Sequence, residues 1–358
     1  MSTASGVDAG VARWPDETPD GGAYGDLETA EGRRAVVEMA NVTKSFGSLR
    51  VLDGLGLTVE RGEVFGFLGR NGAGKSTAIR ILMGITPADA GRVQLFGQPL
   101  AGDVVGVRRR IGYVAQEQNM YPWMTPRSLA RFVRGFYPRW DTARWARLVD
   151  DFGLPAKRRI GTFSGGMKAK LALSLALATR PELLILDEPT AGMDPVARRE
   201  FVDLVREHAS RDGATTFFST HLVDEIEAVA DRIGIVEGGR SVYEGRLEPL
   251  RRSMARFSIA LADDVPGGLP GGFAHERLRV LEDREVAGRQ GSPSRRELTL
   301  QFAGAAPGTG ELALAPGWRR EPMSLEDVFI ATVTRRASGD PPSGNPSSGN
   351  PSSGNPAG

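Results

Sequence analysis

The nine residues Gly69-Arg-Asn-Gly-Ala-Gly-Lys75-Ser76-Thr77 constrain this chain more than any other stretch. They match G-x-x-x-x-G-K-[ST] and lie between an apolar strand, Val64 to Leu68, and a helical pattern. The glycines let the backbone curl so that successive N–H groups point at phosphate oxygens, and the following helix adds its positive end. In this reading Gly69, Asn71, Gly72, Ala73, Gly74 and Thr77 cradle the phosphates. Lys75 is a flexible point charge for the β- and γ-phosphates, and Ser76 is a hard oxygen ligand for Mg2+. Lysine usage sharpens the case: only five of the 45 basic residues are lysines, so one was kept at 75, where a planar guanidinium is too large.

A second element narrows the chemistry. Leu183-Leu-Ile-Leu-Asp187-Glu188 is an apolar run that ends in two carboxylates. Such a strand is buried, and its C-terminal end delivers the acids to the phosphate edge of a parallel sheet. Asp187 suits the Mg2+ shell, and Glu188 is placed to take a proton from an attacking water. Alone, the pair reads equally well as a solvated acidic turn; behind a phosphate loop it reads as a nucleoside-triphosphate-hydrolysing site.

The pattern around these motifs predicts an α/β fold. From Ala35 to Gly245, short apolar strands such as Thr215–Ser219 and Ile233–Val236 alternate with amphipathic helices, as in a largely parallel sheet. The stretch from about 120 to 180 breaks that rhythm as a helical insertion, with Leu129, Phe132 and Val133 at helical spacing. After Leu247, candidate strands at Arg256–Leu261, Arg277–Leu281 and Glu297–Phe302 predict a small α+β C-terminal domain. Its last helix starts at the Ser324-Leu-Glu-Asp327 cap. The expected division is 1–34 disordered, 35–246 the ATPase domain, 247–337 the small domain, and 338–358 a disordered tail of Pro/Ser/Gly/Asn repeats.

Composition removes other classes. A formal net charge of +1 points to no nucleic-acid partner. The chain has no cysteine and only three histidines, which argues against disulfides, thiolate metal sites and a histidine-built metal centre. No apolar run has the length to cross a bilayer and the N-terminus lacks a signal-peptide pattern, so a cytoplasmic location is expected.

With these elements in place, Phe163-Ser164-Gly165-Gly166-Met167-Lys168 resembles the Leu-Ser-Gly-Gly-Gln signature of ABC-transporter ATPases. A plain helix cap accounts for Ser164 but not for the paired glycines. The resemblance implies a P-loop NTPase core with an antiparallel β subdomain. It also implies that Ser164, Gly165 and Gly166 close over ATP held by a second protomer, in a homodimer or pseudo-symmetric heterodimer around two Mg-ATP. Phe46 resembles the aromatic that stacks on adenine. Gln116, ending the strand Ile111-Gly-Tyr-Val-Ala-Gln, matches the glutamine that links Mg2+ and water to the insertion. The loop Ala191-Gly-Met-Asp194 matches the one that crosses the dimer interface, and His221 in Ser-Thr-His matches the histidine that reaches the γ-phosphate. His208 and His275 read as structural. The chain departs from the family at Arg70, Met167 and Ala169-Lys170, none of which removes a group needed for phosphate chemistry.

Lys75 and Ser164 are 89 residues apart (164 − 75) without heptads, which separates the chain from coiled-coil chromosome and repair members. What remains is a transporter subunit, peripheral on the inner face of the cell membrane beneath integral permease subunits, or alternatively a soluble non-transport ABC ATPase. Met120-Tyr-Pro-Trp-Met-Thr-Pro resembles the surface that receives a membrane subunit's coupling helix. Phe136-Tyr-Pro-Arg-Trp-Asp and the terminal Ser-Leu-Glu-Asp-Val-Phe resemble bacterial exporter ATPases.

Overall fold

The computed structural model describes residues 35–100, 104–260, 278–287, 294–302, 306 and 318–334. The expectations for 1–34, 338–358 and His275 lie outside them.

Apolar alternation builds the first layer. β1 (Ala35–Phe46) and β2 (Leu49–Glu60) pair antiparallel, and β4 (Ala90–Leu95) and β5 (Gln98–Pro99) extend the sheet in the order β2-β1-β4-β5. One face is apolar and dry: Val37, Met39, Leu52, Leu55, Leu57 and Val59 are buried there.

The central strands of the second sheet are buried on both faces, as a covered parallel sheet requires. Its order is β10-β9-β3-β8-β7-β6, from β3 (Val64–Gly69), β6 (Ile111–Val114), β7 (Leu183–Asp187), β8 (Thr215–Thr220), β9 (Arg232–Glu237) and β10 (Arg240–Arg246). All pairs are parallel except the edge pair β9–β10. Every residue of β3, β7 and β8 is buried. On one face Phe65, Phe67, Ile185 and Phe217 meet α1 (Lys75–Leu82) and the antiparallel sheet. On the other, Leu184, Leu186 and Phe218 meet α5 (Gly165–Ala178), α6 (Pro195–Asp212) and α7 (Val223–Val229).

Between β5 and β7 the described elements are helical apart from β6: α2 (Val104–Arg108), α3 (Pro126–Val133), α4 (Thr142–Asp151) and then α5. α3 opens with a capping box in which Thr125 and Ser128 serve each other's backbone N–H. The expected apolar face of α3 is only partly inward. Leu129 is buried, but Phe132 is 47% exposed and stacks edge-on with Tyr121 and Phe136 outside the core.

α8 (Leu247–Arg252) leads into the third sheet, ordered β12-β13-β11-β14: β11 (Met254–Ala260), β12 (Leu278–Val286), β13 (Arg295–Phe302) and β14 (Arg319–Glu321), all antiparallel. Phe257, Leu298, Leu300 and Trp318 form its own small core. The last helix, α9 (Leu325–Thr334), behaves differently. Ser324 caps it, accepting from Asp327 N–H at 3.1 Å, and Val328, Phe329 and Ala331 pack into the same cluster as Ile226 and Val229 of α7.

Candidate active site

The strand registers decide where the chemistry falls. Leu68 lies opposite Thr220, Asp187 opposite Ser219, and Val114 opposite Leu186, so β3, β8, β7 and β6 end at one sheet edge. The phosphate loop leaves β3 there, and Gln116 lies two residues beyond β6, not within it as the sequence reading placed it. These ends line a cavity of about 460 Å3 with Asn71, Gly72, Gly74, Lys75, Ser76, Thr77, Gln116, Glu188 and His221 on its wall. Gly69 and Ala73 form the floor of the loop, and Ala73 is buried. A larger cavity of about 740 Å3 lies beside α4. Three of its arginines pair with carboxylates in its wall: Arg61 and Arg139 with Glu182, and Arg180 with Asp141.

Gly74 sets the start of α1. Its φ is +105°, and an added Cβ would stand 2.6 Å from the Leu52 side chain, so only glycine fits. That turn brings the Lys75 ammonium, 4% exposed, back over the loop to donate to the carbonyls of Gly69 at 2.8 Å and Arg70 at 3.1 Å.

Glu188 is the centre of the site. It follows β7 in the left-handed region, with φ +43°, a conformation costly for a non-glycine residue and held by its N–H bond to Ser219 O at 3.0 Å. The buried carboxylate receives three partners. Oε1 takes the Lys75 ammonium at 2.9 Å, while Oε2 takes Gln116 Nε2 at 3.3 Å and His221 Nδ1 at 3.2 Å. Removing any one partner leaves a buried charge short of a hydrogen bond.

Beside it, Ser76 Oγ donates to Asp187 Oδ1 at 3.3 Å. Burial, and next the Glu188 carboxylate, push the Asp187 carboxyl up, while Ser76, Arg80 and Lys75 pull it down. A paired hydroxyl and carboxylate beside a phosphate loop fit a hard dication. No cluster of three or more His, Cys, Asp or Glu able to hold a metal occurs among the described residues.

The remaining residues lie elsewhere. Phe46 ends β1, 48% exposed, with the Lys44 ammonium 5.5 Å from its ring centroid. Ser164 caps α5, which begins at Gly165; its Oγ accepts from Met167 N–H at 3.2 Å. Gly166 packs near Ala197, and Asp194 caps α6 by accepting from Val196 and Ala197 N–H at 3.0 Å. The starts of α5 and α6 are thus neighbours, and neither Ser164, Gly165 nor Gly166 lines the cavity. His208 is buried, edge-on to Phe152.

Sequence reasoning missed Thr190, Arg198, Thr220 and Glu225. The two threonines adjoin motifs that were read, in Asp-Glu-Pro-Thr and Ser-Thr-His. Glu225 gave only its spacing, one helical turn beyond His221.

Fold and site together define a P-loop nucleotide-hydrolysing protein. A family model for the ABC transporter family matches residues 52–191. The Nod factor export ATP-binding protein I of Burkholderia orbicola (strain AU 1054) is 34% identical over 308 residues, covering 84% of this chain and 98% of that protein. The linearmycin resistance ATP-binding protein LnrL of Bacillus subtilis (strain 168) is 35% identical over 215 residues, covering 59% of this chain and 69% of that one. Among solved structures, an ATP-binding subunit of an ABC transporter superposes with a TM-score of 0.55 at 29% identity, covering 61% of this chain and 92% of that one. The chain belongs to the ATP-binding subunits of ABC transporters: it binds ATP and hydrolyses it to drive transport.

Proposed function

We propose that Glu188 is the general base of hydrolysis. The observation that carries this is the convergence of Lys75, Gln116 and His221 on its one buried carboxylate, beside the Ser76–Asp187 pair. The phosphate loop from Gly69 to Thr77 holds the triphosphate, with adenine on Phe46. The γ-phosphate competes with Glu188 for the Lys75 ammonium and frees Oε1 to accept a hydrogen bond from water. Water then attacks the γ-phosphorus, its proton passes to Glu188, and the bond to the β-phosphate oxygen breaks to leave ADP and phosphate. His221 reaches the γ-phosphate and Gln116 orients the water. Ser76 and Asp187, with Gln116, would hold Mg2+, which when bound would supply charge neutralisation for the transferred phosphoryl group.

In the same reading Ser164, Gly165, Gly166 and Asp194 serve ATP on a second protomer. Two chains, or this chain and a similar one, close around two ATP molecules. Tyr121, Trp123, Phe132 and Phe136 form a mutually stacked patch, each 45–66% exposed, to which a membrane subunit docks. No helix among the described residues is long and apolar enough to cross a membrane. Separate permease subunits then supply the pathway, with this chain at the inner face of the membrane. The names of the export and resistance relatives favour export. The division at about residue 247 is kept, with 35–246 as the ATPase domain and the third sheet as the core of 247–337.

Glu188→Gln tests the central role. Hydrolysis is expected to fall about 10²–10⁴-fold, the usual scale for a general base, while ATP affinity by equilibrium titration persists. A wild-type rate would remove Glu188 from the mechanism. Tyr121→Ala with Trp123→Ala is expected to weaken co-sedimentation with permease-containing membranes; unchanged sedimentation would put the docking surface elsewhere.

A further inference from the structure

Beyond the register pair Asp187↔Ser219, β7 and β8 diverge into two segments that carry the chemistry, Glu188 to Asp194 and Thr220 to Leu222. A residue on neither segment ties them together. Glu225 of α7, 3% exposed, receives Thr190 Oγ1 on Oε1 at 2.6 Å and Thr220 Oγ1 on Oε2 at 2.6 Å. Thr220 Oγ1 also accepts the Leu222 N–H at 3.0 Å, which fixes the chain on the far side of His221. On α6, Arg198 Nε lies 3.6 Å from Glu225 Oε1, an ion pair too long for a hydrogen bond. Arg198 also reaches the Met193 carbonyl at 3.5 Å and lines the ATP cavity.

We propose that Glu225 is a positioning residue that locks the Thr190–Asp194 loop and the His221 segment into one unit. A shift of His221 toward phosphate and a shift of the interface loop then occur together. The inference rests on the roles given above to Glu188 and His221. A carboxylate is the side chain that does this, since it offers two oxygens to two hydroxyls from opposite directions and a formal charge to the guanidinium. Hydroxyl-to-carboxylate bonds of 2.6 Å are the short, charge-assisted kind. A carboxylate that only filled space under α7 would be replaceable by an apolar residue, since burying a charge is costly.

The test uses the full chain and compares Glu225→Ala, Glu225→Gln and Thr190→Val combined with Thr220→Val. MgATP hydrolysis (kcat and KM), ATP affinity and melting temperature are measured for each. Glu225→Ala is expected to lower kcat roughly 10- to 100-fold, the scale of a positional error of about 1 Å. Its KM and ATP affinity should stay within about twofold, because Lys75 and Ser76 are untouched. Glu225→Gln, which keeps one acceptor and can donate to the Thr220 hydroxyl, recovers most of that loss. The double valine variant matches Glu225→Ala, and the triple variant is no slower than either, since all three residues form one network. A wild-type kcat in Glu225→Ala overturns the proposal. So does equal loss in the Ala and Gln variants in step with melting temperature, or an additive triple variant. If Glu188→Gln hydrolyses at the wild-type rate, the failure lies in the catalytic reading beneath; if only the Glu225 series behaves as wild type, it lies here.

Discussion

Two helices of this chain begin on glycines beside a polar residue, and they begin in opposite ways. α1 starts on Gly74 in a left-handed turn with no side-chain cap, closed in by Leu52 and by a buried Lys75 with three partners. α5 starts on Ser164, extended and self-capped, and an added Cβ at Gly165 meets no described residue within 4 Å. Gly74 is required by the packing of its own chain, whereas no described residue requires Gly165. In the proposed function, the difference separates a phosphate site completed inside one chain from a helix start offered outward as half of a site shared with a second protomer. A backbone amide that approaches a phosphate needs a bare neighbour even where its own chain leaves room.

The largest effect belongs to the closed site. Lys75→Ala is expected to abolish most ATP binding, because it removes the charge that faces the β- and γ-phosphates. Unchanged affinity in titration with MgATP would overturn the assignment of α1 as the phosphate site. Next comes the outward site. Ser164→Arg, in a Glu188→Gln background that keeps ATP unspent, is expected to leave ATP affinity per chain unchanged. It should also eliminate an ATP-dependent dimer seen in Glu188→Gln alone by size-exclusion chromatography with light scattering. Loss of ATP binding to the monomer would show that α5 serves its own chain's nucleotide, and the contrast between the two helices would fail.

The same contrast explains what could be read from the sequence. The phosphate loop, the Leu183–Asp187 strand and its two acids were legible because each is a contiguous run whose residue types follow from one local demand. So was the Ser324–Asp327 cap. The Glu225 network was not legible. Its members come from three elements, and a glutamate on the amphipathic α7 looks like any solvated helical acid until the fold turns it inward. Phe132 misled for the converse reason: its helical spacing from Leu129 fits a core face, but the neighbouring face of α3 carries an exposed aromatic patch. The third sheet was found as strands, yet no pattern revealed that α9 would leave that sheet's core for the packing around α7.

The smallest expected effect decides most about the comparison. Gly165 lies at the first turn of α5 with an ordinary helical backbone and open space where a Cβ would go. Gly165→Ala should therefore stabilise the nucleotide-free monomer, by up to about 0.4–1 kcal/mol, because alanine has less chain entropy to lose on folding. For a chain of 358 residues that raises Tm by roughly 0.5–1.3 °C. Gly74→Ala should do the opposite and lower Tm, since it forces a Cβ into Leu52 at φ +105°. If Gly165 is bare for a partner's phosphate, the stabilised variant should still bind ATP as a monomer and yet hydrolyse it more slowly, a gain in stability purchased with activity. Differential scanning calorimetry and steady-state ATPase assays on the two variants read both quantities. A fall in Tm for Gly165→Ala would mean that the fold itself needs this glycine, and nothing would then distinguish the start of α5 from that of α1.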